Sequence, residues 1–166
     1  MNISEEQDSR TERLEVPNSL WLQTWRLLSQ MGQGESESAC VWGGTLRHGR
    51  LCVVKAYPIG AAHGAIRGCQ SHRMSTQGVA ELLAELRKDG LRIVADVHTH
   101  PSSWVGLSEV DKAHPIEFRR GLICIVLPDY ATTPPSLESI GLHIYLGEGR
   151  WLESSQAETA VRVVLV

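Results

Sequence analysis

Several features are scarce in this chain, and each scarcity removes a class of function. No apolar run approaches the roughly 18 consecutive residues that a membrane-spanning helix needs. Basic side chains are in deficit: 16 Lys and Arg stand against 19 Asp and Glu, a formal net charge of -3, so no basic surplus argues for nucleic acid. The first residues lack the basic and apolar regions of a signal peptide, which makes the cytoplasm the default expectation. Cys40, Cys52, Cys69 and Cys124 are scattered without a closely spaced pair, which argues against a cysteine-rich structural zinc site. In a reducing compartment they are free thiols that bury as small hydrophobes. What remains is a 166-residue chain, 42% hydrophobic, long enough for one domain with a core of useful size.

The informative stretch is Asp96-Val97-His98-Thr99-His100-Pro101, followed after a short loop by Ser108-Glu109-Val110-Asp111. The run from Leu91 to Val97 is β-prone. On a strand, side chains two apart share a face, so Asp96, His98 and His100 point the same way. Pro101 removes a backbone donor and helps end the strand just after the second histidine. Ser108 reads as a helix N-cap, with Asp111 three residues later on the same side. Two imidazoles and a carboxylate then converge, and three protein ligands with a fourth position open to water are what a catalytic zinc requires.

The pattern H-x-H-P-x6-S-x2-D, carried by His98, His100, Pro101, Ser108 and Asp111, resembles that of the JAB/JAMM (MPN+) zinc metalloproteases. That family also uses a glutamate about sixty residues upstream on a strand running into glycines, and Glu37-Ser38-Ala39-Cys40-Val41-Trp42-Gly43-Gly44 looks like that element. The resemblance implies a mixed α/β (α+β) fold of the cytidine-deaminase-like kind, with one Zn2+ on His98, His100 and Asp111. It implies that Glu37 takes a proton from the zinc-activated water and returns it to the leaving amine. Ser108 is expected to hydrogen-bond the developing oxyanion. Asp96 is either a hydrogen-bond partner of a ligand histidine or a residue at the open end of the site. Trp104 is either a lid facing substrate or part of the packing. His114 and His143 show no partners in the sequence and are expected to be structural or exposed.

The resemblance further implies hydrolysis of the amide or isopeptide bond after the C-terminus of a ubiquitin-like protein. Compact versions resembling this chain stand beside E1-like and E2-like enzymes in bacterial operons. Some remove a ubiquitin-like protein from targets; others, in anti-phage signalling systems, release a conjugated nucleotidyltransferase. The partners expected are therefore a ubiquitin-like protein or a conjugated target protein, with no nucleic acid and no membrane. A rival from another class is a metal-free binding module of the same fold. The opening Asp96-x-His98-x-His100 also resembles that of metal-dependent amidohydrolases, but their barrels need about 250 residues. Cysteine hydrolysis from Cys40 or Cys69 lacks an evident histidine partner.

Along the chain, residues 1–17 read as a flexible tail, and 18–166 as a single domain. Asn18 or Ser19 is expected to cap a helix carrying Leu20, Trp21, Trp25, Leu28 and Met31 at helical spacing, stopped by Gly32 and Gly34. A strand to Leu46, a tight turn at Arg47–Arg50 and a strand Leu51–Tyr57 form a hairpin. Residues 58–74 read as a long loop, whose counterpart in the resembled family can bind the substrate's tail; His63 and His72 within it have no partner at short spacing. Ser75 or Thr76 caps a helix ending at Asp89-Gly90. The apolar run Leu122–Leu127 is a strand covered on both faces. Ile140–Leu146, Trp151-Leu152 and Val161–Val166 complete a mixed sheet with helices on its faces.

Overall fold

Leu14 and Val16, two residues apart, are both fully buried, and the segment around them is a strand. The computed structural model describes residues 13–60, 74–154, 159 and 162–166. Its elements are β1 (Arg13–Val16), α1 (Asn18–Gly32), β2 (Ala39–Arg47), β3 (Arg50–Ile59), α2 (Thr76–Lys88), β4 (Arg92–Thr99), α3 (Glu109–Ala113), β5 (Ile123–Leu127), β6 (Gly141–Gly147), β7 (Arg150–Ser154) and β8 (Val163–Leu165). The strands form one sheet in the order β7-β6-β5-β4-β2-β3-β1-β8. Pairing is mixed: β4 runs parallel to β5, and β1 parallel to β3 and β8, while β2 is antiparallel to both β3 and β4.

The expected flexible tail over 1–17 is corrected at residues 13–16. A four-residue strand is too short to show a sequence period, but here it fills the slot between β3 and β8. Glu15 also accepts a hydrogen bond from Arg50 at 2.6 Å. The start of α1 differs too. Pro17 occupies the cap with no side-chain cap bond, and Asn18 is already helical, its amide donating to the Val166 carbonyl. The left-handed residue that ends α1 is Gln33 (φ 52°) rather than a glycine. Pro58 and Ile59 extend β3 instead of opening a loop; residues 61–73 of that expected loop, with His63, Cys69 and His72, lie outside the described residues.

Helices cover both faces. Leu20, Trp21 and Leu28 of α1 pack on Trp42, Val97 and Ile125, and Trp42 Nε1 donates to Thr24 Oγ1 at 2.9 Å. On the other face, Leu82 and Leu86 of α2 pack on Val41, Tyr57 and Ile93. Strict alternation would put Ile93 on the same side as Val97. A register shift against β2 between Trp42 and Gly43 changes the phase, so Ile93 joins the α2 cluster while Val94, Ala95 and Val97 join the α1 cluster. A second shift, against β3 between Gly43 and Gly44, needs Gly44, because a Cβ there would stand 2.2 Å from the Cys52 carbonyl oxygen. Among the described residues no helix is long and apolar enough to cross a membrane.

Candidate metal centre

β4 delivers the two histidines. His98 is its penultimate residue, and His100 follows where the strand ends at Pro101, as the sequence suggests. Both rings are buried, and their Nε2 atoms stand 3.2 Å apart. Opposite them comes α3, a single turn closed by a full capping box: the Asp111 N–H donates to Ser108 Oγ, and the Ser108 N–H donates to Asp111 Oδ2 at 2.8 Å. The same bonds that start the helix aim Asp111 at the histidines. Its Oδ2 lies 3.3 Å from His100 Nε2 and its Oδ1 lies 3.7 Å from His98 Nε2. Trp151 Nε1 donates to the Lys112 carbonyl at 3.3 Å and fastens this short helix to β7.

Glu37 stands just before β2 rather than on it. Two bonds that no sequence period reveals hold it there: the Thr99 N–H donates to the Ser38 carbonyl at 3.0 Å, and the Ser38 N–H donates to Thr99 Oγ1 at 2.9 Å. Glu37 thereby lines the same cavity as His98 and Asp111, a space of about 440 Å³ that also takes in Asp96, Cys124 and His114. Ile59, Val79, Ile116, Phe118 and Trp151 supply apolar wall.

Electrostatics follow from this burial. Burial raises the Glu37 carboxyl to about 7, with the His100 charge lowering it and Asp111 raising it. Asp96 is likewise pushed up to about 7, by burial and then by the Asp111 charge. Asp111 behaves oppositely. Burial disfavours its charge, but the bond from His100, the His98 charge and two bonds from Ser108 outweigh that and hold it well below the usual carboxylate range. His100 is raised because the Asp111 bond and charge overcome its desolvation. An ionised Asp111 beside two imidazoles makes a donor group that could hold a metal ion, and such an ion would compete with a proton for His100 Nε2.

The other expected residues fall as follows. Asp96 Oδ1 is 4.0 Å from His98 Nδ1, an ion-pair distance rather than a hydrogen bond. Cys124 Sγ is nearer that nitrogen, at 3.7 Å, because β5 pairs with β4 in the register Asp96 to Cys124. Cys40, Cys52 and Cys124 are free thiols, as expected. Trp104 stacks on His100 with centroids 5.2 Å apart, and its carbonyl accepts from His100 Nδ1 at 3.2 Å. Its ring remains 55% exposed, so it packs on the site and faces solvent at once. Ser108 Oγ donates to Asp111 Oδ2 at 2.6 Å, so its proton is engaged with the carboxylate. His114 is exposed at the cavity and His143 is buried.

Among the described residues, two donor groups have the make-up of a metal site. His98, His100 and Asp111 form one; Asp96, His98 and Cys124 form the other, sharing His98 through its second ring nitrogen. The first group fits zinc. Nitrogens at about 2.0–2.1 Å from a tetrahedral zinc stand ~3.3 Å apart, close to the separation of the two Nε2 atoms, and imidazole with carboxylate is a usual zinc donor set.

No family model matches the chain. It is similar in fold to the solution structure of protein DSY2949 from Desulfitobacterium hafniense, with a TM-score of 0.61 and 16% identity over 92% of each chain. A solution structure of a protein from Salinibacter ruber gives a TM-score of 0.55 and 14% identity, covering 85% of this chain and 88% of that one. At these identities the likeness concerns the fold alone.

Proposed function

We propose that this chain is a zinc-dependent isopeptidase of the JAB/JAMM type. On this reading it cleaves the amide bond after the C-terminus of a ubiquitin-like protein, or of a conjugated bacterial target. The observation that carries the reading is the convergence of His98 Nε2, His100 Nε2 and the Asp111 carboxylate, at 3.2 to 3.7 Å from one another, beside a cavity that His98, Asp111 and Glu37 line. His98, His100 and Asp111 would hold the ion, leaving a coordination position open. When bound, zinc supplies Lewis acidity, lowering the pKa of water from about 15.7 towards about 7 and polarising a carbonyl.

The chain's own groups do the rest. Glu37 accepts the proton of the attacking water at its carboxylate and hands it to the departing amine nitrogen. Its raised pKa of about 7 suits a group that must both take and give a proton near neutrality. Ser108 holds Asp111 in its orientation, and its hydroxyl is the donor offered to the oxygen that gains charge, once it turns from the carboxylate. The Trp104 carbonyl, by accepting from His100 Nδ1, leaves the His100 Nε2 lone pair facing the ion. The apolar wall restricts bulk water and receives an extended chain.

The test is metal content of the purified protein beside His98→Ala and Glu37→Ala, followed by incubation of each with ubiquitin-like protein fusions. The expected result is near one zinc in the parent, none in the histidine variant and full occupancy in the glutamate variant, with cleavage by the parent alone. A folded parent that takes up no zinc when supplied with it would end the proposal and turn attention to a binding module.

A further inference from the structure

His143 lies on β6, opposite Cys124 of β5, so its side chain is on the face that carries His98 and Asp96. It is 2% exposed. Its Nε2 is 2.8 Å from the Val105 carbonyl oxygen, and a carbonyl only accepts, so Nε2 carries the proton. Nδ1 is then bare, and it is buried without a hydrogen-bond partner. Burial also disfavours the charged ring. A buried orphan nitrogen is a cost to folding that a leucine at the same position would avoid. The compensation lies in what the other nitrogen holds.

Val105 follows Trp104, whose carbonyl orients His100 and whose ring stacks on it. The segment between is tied down at both ends. At its start, the amides of Tyr130 and Asp129 donate to the carbonyls of His100 and Ser102 at 2.8 and 3.0 Å. At its end the Val105 carbonyl accepts from His143 Nε2 at 2.8 Å. Two glycines allow the approach. A Cβ on Gly141 would meet the Val105 carbonyl oxygen at 2.0 Å, and one on Gly106 would meet the Trp104 ring at 2.7 Å.

We propose that His143 is a positioning residue for the metal centre: through Val105 it fixes the loop whose Trp104 carbonyl sets the tautomer and aim of His100. This rests on the zinc reading above. The chain of contacts runs from β6 to a loop backbone to a ligand ring, so its loss loosens His100 without removing any ligand. Loss of outer groups that orient a ligand typically weakens metal affinity about 10- to 100-fold.

Zinc affinity of parent, His143→Leu and His143→Gln is measured by competition with a chromophoric chelator, beside the thermal midpoint of each zinc-free protein. The leucine variant is expected to bind zinc about tenfold more weakly with its zinc-free midpoint nearly unchanged. The glutamine variant, which keeps an N–H donor, is expected to recover most of the affinity. A well-folded leucine variant with parental affinity overturns the role of His143 while leaving the zinc reading intact. A parent that binds no zinc overturns both. Should the leucine variant fail to fold, imidazole nitrogen shifts of the zinc-loaded parent decide: the Nε2–H form at His143 with the Nδ1–H form at His100 is expected, and the reverse form at either ring overturns the proposal.

Discussion

At the scale of single residues, two acids in the cavity are held in opposite ways by their neighbours. Asp111 accepts bonds from Ser108 and His100 and stays ionised, whereas Asp96 has burial and a neighbouring negative charge against it. A carboxyl raised from 3.8 to about 7 in the folded state keeps its proton there while the unfolded chain has lost it. Stability therefore falls as pH rises from about 4 to about 7 and stays low above. Asp96→Asn removes that cost. In chelator-treated protein the variant is expected to be the more stable at pH 8 by on the order of 4 kcal/mol, and equal to the parent near pH 4, as urea unfolding at the two pH values will measure. Equal stabilities at pH 8 would mean that Asp96 is ionised at no cost. On the zinc reading Ser108 carries two roles that differ in size. As a cap it contributes about 1 kcal/mol, while as an oxyanion donor it contributes about 100- to 1000-fold in rate. Ser108→Ala is expected to lose both; turnover preserved beside lowered stability would leave only the cap.

At the scale of elements, the short pieces decide where the site sits. α3 has one turn and no buried residue, so packing alone does not hold it; the capping box and the Trp151 bond do. The turn Asp129–Ala131 has φ of 51, 53 and 55° in succession, a left-handed path that costs L-residues about 1–2 kcal/mol each. Its amides bond the His100 and Ser102 carbonyls, and the Ala131 carbonyl accepts from Trp25 Nε1 at 2.8 Å, which ties the site to α1. β1 contributes in the same economical way, through two side chains. Leu14→Ala removes a fully buried group and is expected to cost about 2–5 kcal/mol of stability, read from the urea midpoint. A change under about 0.5 kcal/mol is what an exposed site gives, and would return residues 13–16 to the tail that the sequence suggested.

For the molecule as a whole, the sheet brings Glu37 and His98 together across 61 residues, so the centre forms only when the domain does. A metal bound there would be linked to folding. On the zinc reading, zinc at 100 times its dissociation constant adds about 2.7 kcal/mol to the unfolding free energy. The expected outcome is a rise in melting temperature of the parent and Glu37→Ala on adding zinc, with none for His98→Ala. A rise in all three would place the ion elsewhere.

The sequence by itself determined the elements whose signals are local. The β-prone run of β4, the proline after His100, the cap at Ser108 and the His48-Gly49 hairpin turn are properties of neighbouring residues, and all are present in the fold. The convergence of His98, His100 and Asp111 was also legible, because fourteen residues of chain hold all three. What tertiary structure alone decided are the contacts without a period. The Ser38–Thr99 bonds that place Glu37, Cys124 beside His98, and His143 beneath the Val105 carbonyl each depend on strand order and register. Register across a sheet is set by the whole pattern of buried side chains and by local shifts such as those at Trp42–Gly44, and no short stretch of chain contains that information.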